Sequence, residues 1–132
     1  MHQLAALPGA IADGSPPVHL DQTPGDIVVL SAADMELAAL AQARAKLDAA
    51  DFPSLRLANL LHLGDDHSVD HYAEDVIAHA KLVVVRLLGG RSYWPHGSDE
   101  IARICRDRDI LVTFLPGDDQ PDPELAALST VT

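Results

Sequence analysis

The chain has 132 residues, 48% of them hydrophobic and 22% charged, with a formal net charge of −11. That size suits one domain that buries roughly two thirds of its unfolded surface, and the composition is that of a folded globule. The acidic excess opposes nucleic acids and anionic membranes, so an anionic small molecule would have to be met locally, by arginines such as Arg86 or Arg91.

Cys105 is the only cysteine, which leaves no internal disulfide and no cysteine-rich zinc site. No apolar run approaches the ~18 residues a spanning helix needs, and the first residues carry no basic leader. The expectation is a cytoplasmic protein without a membrane partner.

Residues 3–7 read as a short first strand ended by Pro8-Gly9. Residues 8–25, with Gly14, Pro16, Pro17, Pro24 and Gly25, read as an irregular loop inside the domain. Ile27-Val28-Val29-Leu30 is a buried strand, followed by Ser31 or Asp34 as the cap of a helix over 35–48. Leu37, Leu40 and Leu47 of that helix are expected towards the sheet. Leu55, Leu57, Leu60 and Leu61 mark the next strand. Ser68 then caps a helix whose Val69, Tyr72, Ala73, Val76, Ile77 and Ala80 share one face. A β-branched strand over 81–88 and a helix over 98–108, with Ile101, Ile104 and Cys105 inward, come next. The strand 110–115 and a short helix around 124–128 close the chain.

Strands alternating with helices predict an open, mostly parallel α/β sheet with helices on both faces, flavodoxin-like or Rossmann-like. The short last helix and its small polar sequel suggest an incomplete domain of a larger chain. If the strand at Ile27 is central and the one at Leu55 lies outside it, the sheet turns over between 27–30 and 81–88. The crevice there is lined by 31–34 and 89–96, with 115–119 beside them.

Gly89-Gly90-Arg91 could present backbone N–H groups and a guanidinium fork to a carboxylate or phosphate. Tyr93, Trp94 and His96 would add an aromatic platform, and Asp118 and Asp119 an acidic edge. The plainer alternative is a βα connection whose aromatics cap the core, with a turn at Asp118 and Asp119. His67, His71 and Glu74 share a helix face and could hold a transition metal, but a solvated polar face explains them without one. Cys105, on an apolar stripe, reads as a buried structural thiol. These residues outline a ligand-capable domain without catalytic apparatus.

Residues 24–34, 52–60, 78–95 and 115–119 resemble the N-terminal end of the large subunit of aerobic cobaltochelatase, the CobN type, related to the magnesium chelatase H subunit. The most specific piece is Arg86-Leu87-Leu88-Gly89-Gly90-Arg91-Ser92-Tyr93-Trp94-Pro95. The resemblance implies an enzyme of cobalamin biosynthesis that inserts cobalt(II) into hydrogenobyrinic acid a,c-diamide, driven by ATP and magnesium on two AAA-type partner subunits. It also implies a subunit many times longer than this chain, so this segment would not be catalytic alone and would aid tetrapyrrole binding or assembly. No cofactor is expected on the segment itself, and no family catalytic residue carries over. The rival is a free-standing flavodoxin-like or receiver-like binding or regulatory domain using Asp34, Asp118 and Asp119. It lacks the lysine that a receiver needs after its last strand.

Overall fold

Each apolar run becomes a parallel strand: β1 (Ile27–Ser31), β2 (Leu55–Asn59), β3 (Leu82–Leu87) and β4 (Leu111–Pro116). They come from a computed structural model, which describes residues 22–131. The expected strand at 3–7 and most of the loop at 8–25 lie outside the described residues. Four helices join or follow the strands: α1 (Asp34–Ala45), α2 (Asp66–Asp75), α3 (Pro95–Asp107) and α4 (Pro123–Leu128).

The strand order is β2-β1-β3-β4, so the sheet does turn over between β1 and β3. The step from β1 to β2 runs one way across the sheet, and the steps to β3 and β4 run the other. Right-handed crossovers therefore put α1 on one face and α2 and α3 together on the opposite, inner face. There Val28, Leu30, Val83, Val85, Leu87, Val112 and Phe114 point inward and are at most 3% exposed. They meet Val69, Tyr72 and Ala73 of α2, Val76 and Ile77 where the expected single helix gives way to a 3₁₀ turn at Ile77–His79, and Ile101, Ile104 and Cys105 of α3.

Several boundaries differ from expectation. Neither Ser31 nor Asp34 caps α1: Ala33 holds the cap position, and the Ser31 hydroxyl accepts from the Ala33 N–H (3.1 Å). The helix stops at Ala45, before the Asp48 turn and Pro53, which leaves Leu47 outside it and 42% exposed. α1 is alanine-rich and buries none of its residues completely.

β2 ends at Asn59, whose side chain accepts from the Leu61 N–H (2.8 Å) and winds Leu60–Leu63 into a 3₁₀ turn. Asp65, not Ser68, caps α2, accepting from the N–H groups of His67 and Ser68. α3 begins at Pro95 rather than Ser98, because proline at the first helical position has its φ preset and loses no helical donor.

Candidate functional site

In an open parallel sheet the place where strand order reverses leaves a crevice at the strands' C-terminal ends. Here it is a hollow of about 250 Å³ lined by Ser31, Ala32, Ala33, Glu36, Arg86, Leu88 and Gly117. Arg86 is there because side chains alternate along β3: Val83, Val85 and Leu87 face the core, so Arg86 faces outward. Its guanidinium pairs with Glu36 of α1 and donates to the Gly117 carbonyl (3.2 Å). The other Glu36 oxygen accepts from the Ser31 hydroxyl (2.7 Å). The hollow therefore has one acid and one base, held together and both reachable from solvent.

A second hollow, about 160 Å³, lies between the β3–α3 turn and the β4–α4 turn, lined in part by Gly89, Gly90, Asp118 and Asp122. Gly89 and Gly90 have φ of 103° and 74°, a region that side chains disfavour. Gly117 separates the two hollows. A Cβ on it would lie 2.6 Å from the Leu88 Cβ and 2.8 Å from the Leu88 backbone, so the two turns touch only because this residue is glycine. Asp118 accepts from the Gln120 N–H (3.0 Å), Asp119 accepts from the Gln120 side chain (3.2 Å), and Asp122 caps α4.

The rest of the glycine turn is engaged within the chain. Arg91 forms a two-pronged pair with Asp99 of α3, its Nε donating at 2.8 Å. Trp94 is 2% exposed and its indole N–H donates to the Leu63 carbonyl (2.8 Å), fastening the 3₁₀ turn to α3. A Cβ on Gly97 would overlap the Trp94 ring. Tyr93 packs partly buried against the core. His96, in the first turn of α3, meets Asp70 of α2 at 2.8 Å. That hydrogen bond, together with nearby Asp66 and Glu100, raises its pKa against the opposing effect of burial. Gly89, Gly90 and Asp118 thus meet at one rim, whereas Trp94 and His96 turn to the α2 side and Arg91 to α3. Glu36 is the rim residue the sequence did not single out; its signal is a second carboxylate, after Asp34, in the first turn of the helix that follows β1.

Of the residues considered for a metal, His71 lies 3.6 Å from Asp75, Glu74 pairs with Arg108 (3.8 Å), and His67 is exposed at the start of α2. Among the described residues no three His, Cys, Asp or Glu side chains are placed to hold one ion. Cys105 is buried and its thiol is pushed up to about 12 by burial, which removes it as a nucleophile at neutral pH. β3 ends at Leu87 and runs into Leu88-Gly89, with no carboxylate where a receiver would accept phosphate.

The chain is 42% identical over 131 residues to the aerobic cobaltochelatase subunit CobN of Pseudomonas aeruginosa, and 46% identical over 131 residues to that of Sinorhizobium sp. Each alignment covers 99% of this chain. The chain belongs to the CobN family. It spans 10% of the length of these two relatives. No family model matches it. The catalytic subunit of cobaltochelatase from Mycobacterium tuberculosis shares its fold, with a TM-score of 0.58 and 27% identity over 82% of this chain and 8% of that one. The α/β architecture and the CobN resemblance expected from the sequence therefore both hold, and the fold is that of part of a larger protein. Among the described residues no helix is long and apolar enough to cross a membrane.

Proposed function

We propose that this chain is a structural module of a cobaltochelatase large subunit, its N-terminal domain, and that it contributes to assembly rather than to ring chemistry. The enzyme as a whole would insert cobalt(II) into hydrogenobyrinic acid a,c-diamide in the cytoplasm, with AAA-type partner subunits supplying ATP hydrolysis. Cobalt is substrate in that reaction, and the described residues present no donor set for it. The observation that carries the assembly reading is the internal engagement of the glycine turn. Arg91 is paired with Asp99 and Trp94 is closed into the core, so neither offers a free fork or ring face to a macrocycle. Size supports the same view. Pockets that enclose drug-sized ligands run from ~300 to ~1,000 Å³, and the larger rim hollow falls below that range.

A second reading keeps a peripheral role for the rim. The hollow at Arg86, or the smaller one at Gly89, Gly90 and Asp118, would take one carboxylate or amide arm of a corrin, not its ring. Titration with hydrogenobyrinic acid a,c-diamide separates the two. The assembly reading expects no saturable binding by the 132-residue chain, and ring affinity within twofold of wild type in a full-length subunit carrying Arg86→Gln or Arg91→Gln. Stoichiometric binding by the chain, or a tenfold loss of affinity with Arg86→Gln, would overturn it.

A further inference from the structure

The two faces of this sheet are covered unequally. Strand alternation and the parallel register put Leu82, Val84 and Arg86 of β3 and Leu111, Thr113 and Leu115 of β4 on the face opposite α2 and α3, with Arg86 tied to Glu36 at the rim end. On that face α1 packs on β1 and β2. α4 packs on β4 from the α3 side, with Leu125 in the inner core and its Ala127 carbonyl accepting from Arg106 of α3; the outer face of the β3–β4 half carries no helix among the described residues. Leu111 is 51% exposed and Leu115 43%, while their neighbours Val112 and Phe114, pointing the other way, are at most 3% exposed. Leu88, 65% exposed, extends the apolar strip to the rim. Parallel sheets are normally buried on both sides, because their crossover helices lie on both. A half-bare apolar face is therefore a surface that expects a cover.

We infer that this outer β3–β4 face is an interface within the subunit, covered by an apolar helix from the part of a CobN chain beyond the matched tenth. The inference rests on the proposal that the segment works as part of such a subunit. The footprint argues for a single helix. Two strands of six residues make a strip about 20 Å long, which a helix of about thirteen residues spans. That is close to the length of α1, which covers the other half. Length favours the remainder of the subunit as the occupant, and charge disfavours a second copy. The CobN relatives carry nine tenths of their chain beyond this match. A second copy would bring another net −11 against the same acidic domain.

Thiol accessibility tests this, because Cys105 is a built-in blank: it is 0% exposed, so its labelling reports only unfolding. Leu111→Cys and Leu115→Cys are placed separately in the 132-residue chain and in full-length Sinorhizobium CobN carrying this segment in place of its own. Maleimide modification is followed peptide by peptide. Leu61→Cys, at a position 56% exposed, sets the rate for an open site in the chain alone. The expected result is open-site labelling in the chain alone and at least tenfold slower labelling in the full subunit. Equal rates in both settings overturn the inference. So does protection already present in the chain alone: concentration-dependent protection points to a second copy, and concentration-independent protection to the chain's own first residues. None of these outcomes touches the corrin titration, and ring binding by the chain would overturn the assembly role without changing the labelling pattern.

Discussion

His96 is a residue whose sequence neighbours misdirect. It follows Tyr93-Trp94-Pro95, yet it answers to Asp70, twenty-six positions away on α2. Its pKa is raised on folding, chiefly by that hydrogen bond. The folded state therefore holds the proton more tightly than the unfolded chain. The resulting stability is fully present below the ordinary histidine value of about 6.5 and is lost as the pH rises through the folded value. Because His96 and Asp70 are 39% and 54% exposed, solvent screening keeps the contribution below about 1 kcal/mol. Urea denaturation of the wild type and His96→Gln should show a difference that is largest near pH 5.5 and shrinks towards pH 8. A flat difference, or one that grows with pH, would mean the pair does not couple to folding. Trp94 teaches the same lesson without titrating. A lone tryptophan in a glycine turn has two readings, platform or core cap, and only the position of the Leu63 carbonyl separates them.

At the scale of elements, the sequence was most legible where one period dominated. The stripe from Val69 to Ala80 is buried as its period predicts, although the helix itself stops at Asp75 and Ile77–His79 form a 3₁₀ turn; all four apolar runs are strands, and strand order follows from the assumption that β1 is central. The differences lie where a short polar side chain competes with the backbone, as with Asn59 ending β2 and Asp65 taking the cap from Ser68, and where the preset φ of Pro95 starts α3 early. At the rim the crevice position was legible from topology. The pairing of Glu36 with Arg86 was not, because it joins residues fifty positions apart. β4 offers the sharpest test of the two-faced sheet, since Phe114 and Leu115 are neighbours pointing to opposite sides. In the 132-residue chain Phe114→Ala should cost about 3–5 kcal/mol, the usual range for emptying a core aromatic site. Leu115→Lys should cost under about 1 kcal/mol, because the long apolar stem still lies on the sheet while the ammonium reaches water. Equilibrium denaturation measures both. Similar costs at the two positions would mean that the outer face is as closed as the inner one.

For the molecule as a whole, charge sets a condition on stability that no single pair controls. Twenty acidic residues face nine basic ones. A folded chain of this length has a radius of gyration of about 14 Å. At 0.01 M salt the screening length is about 30 Å, so every charge feels every other; at 0.15 M it is about 8 Å and only neighbours interact. Salt should therefore relieve the self-repulsion of the compact state. It also weakens ion pairs such as Arg103 with Glu100 and Asp107 and Arg91 with Asp99, but these pairs sit in water that already screens them and each contributes little. With an excess of eleven negative charges, the relief outweighs the loss. Thermal melts in NaCl from 0.01 to 0.3 M should show Tm rising by a few degrees, most of it below 0.15 M. Chloride is the appropriate salt, because sulfate strengthens apolar burial and would raise Tm for a different reason. A Tm that falls as NaCl rises would place the balance with the ion pairs. The acidic surface would then stabilise the segment by its arrangement in spite of its net charge.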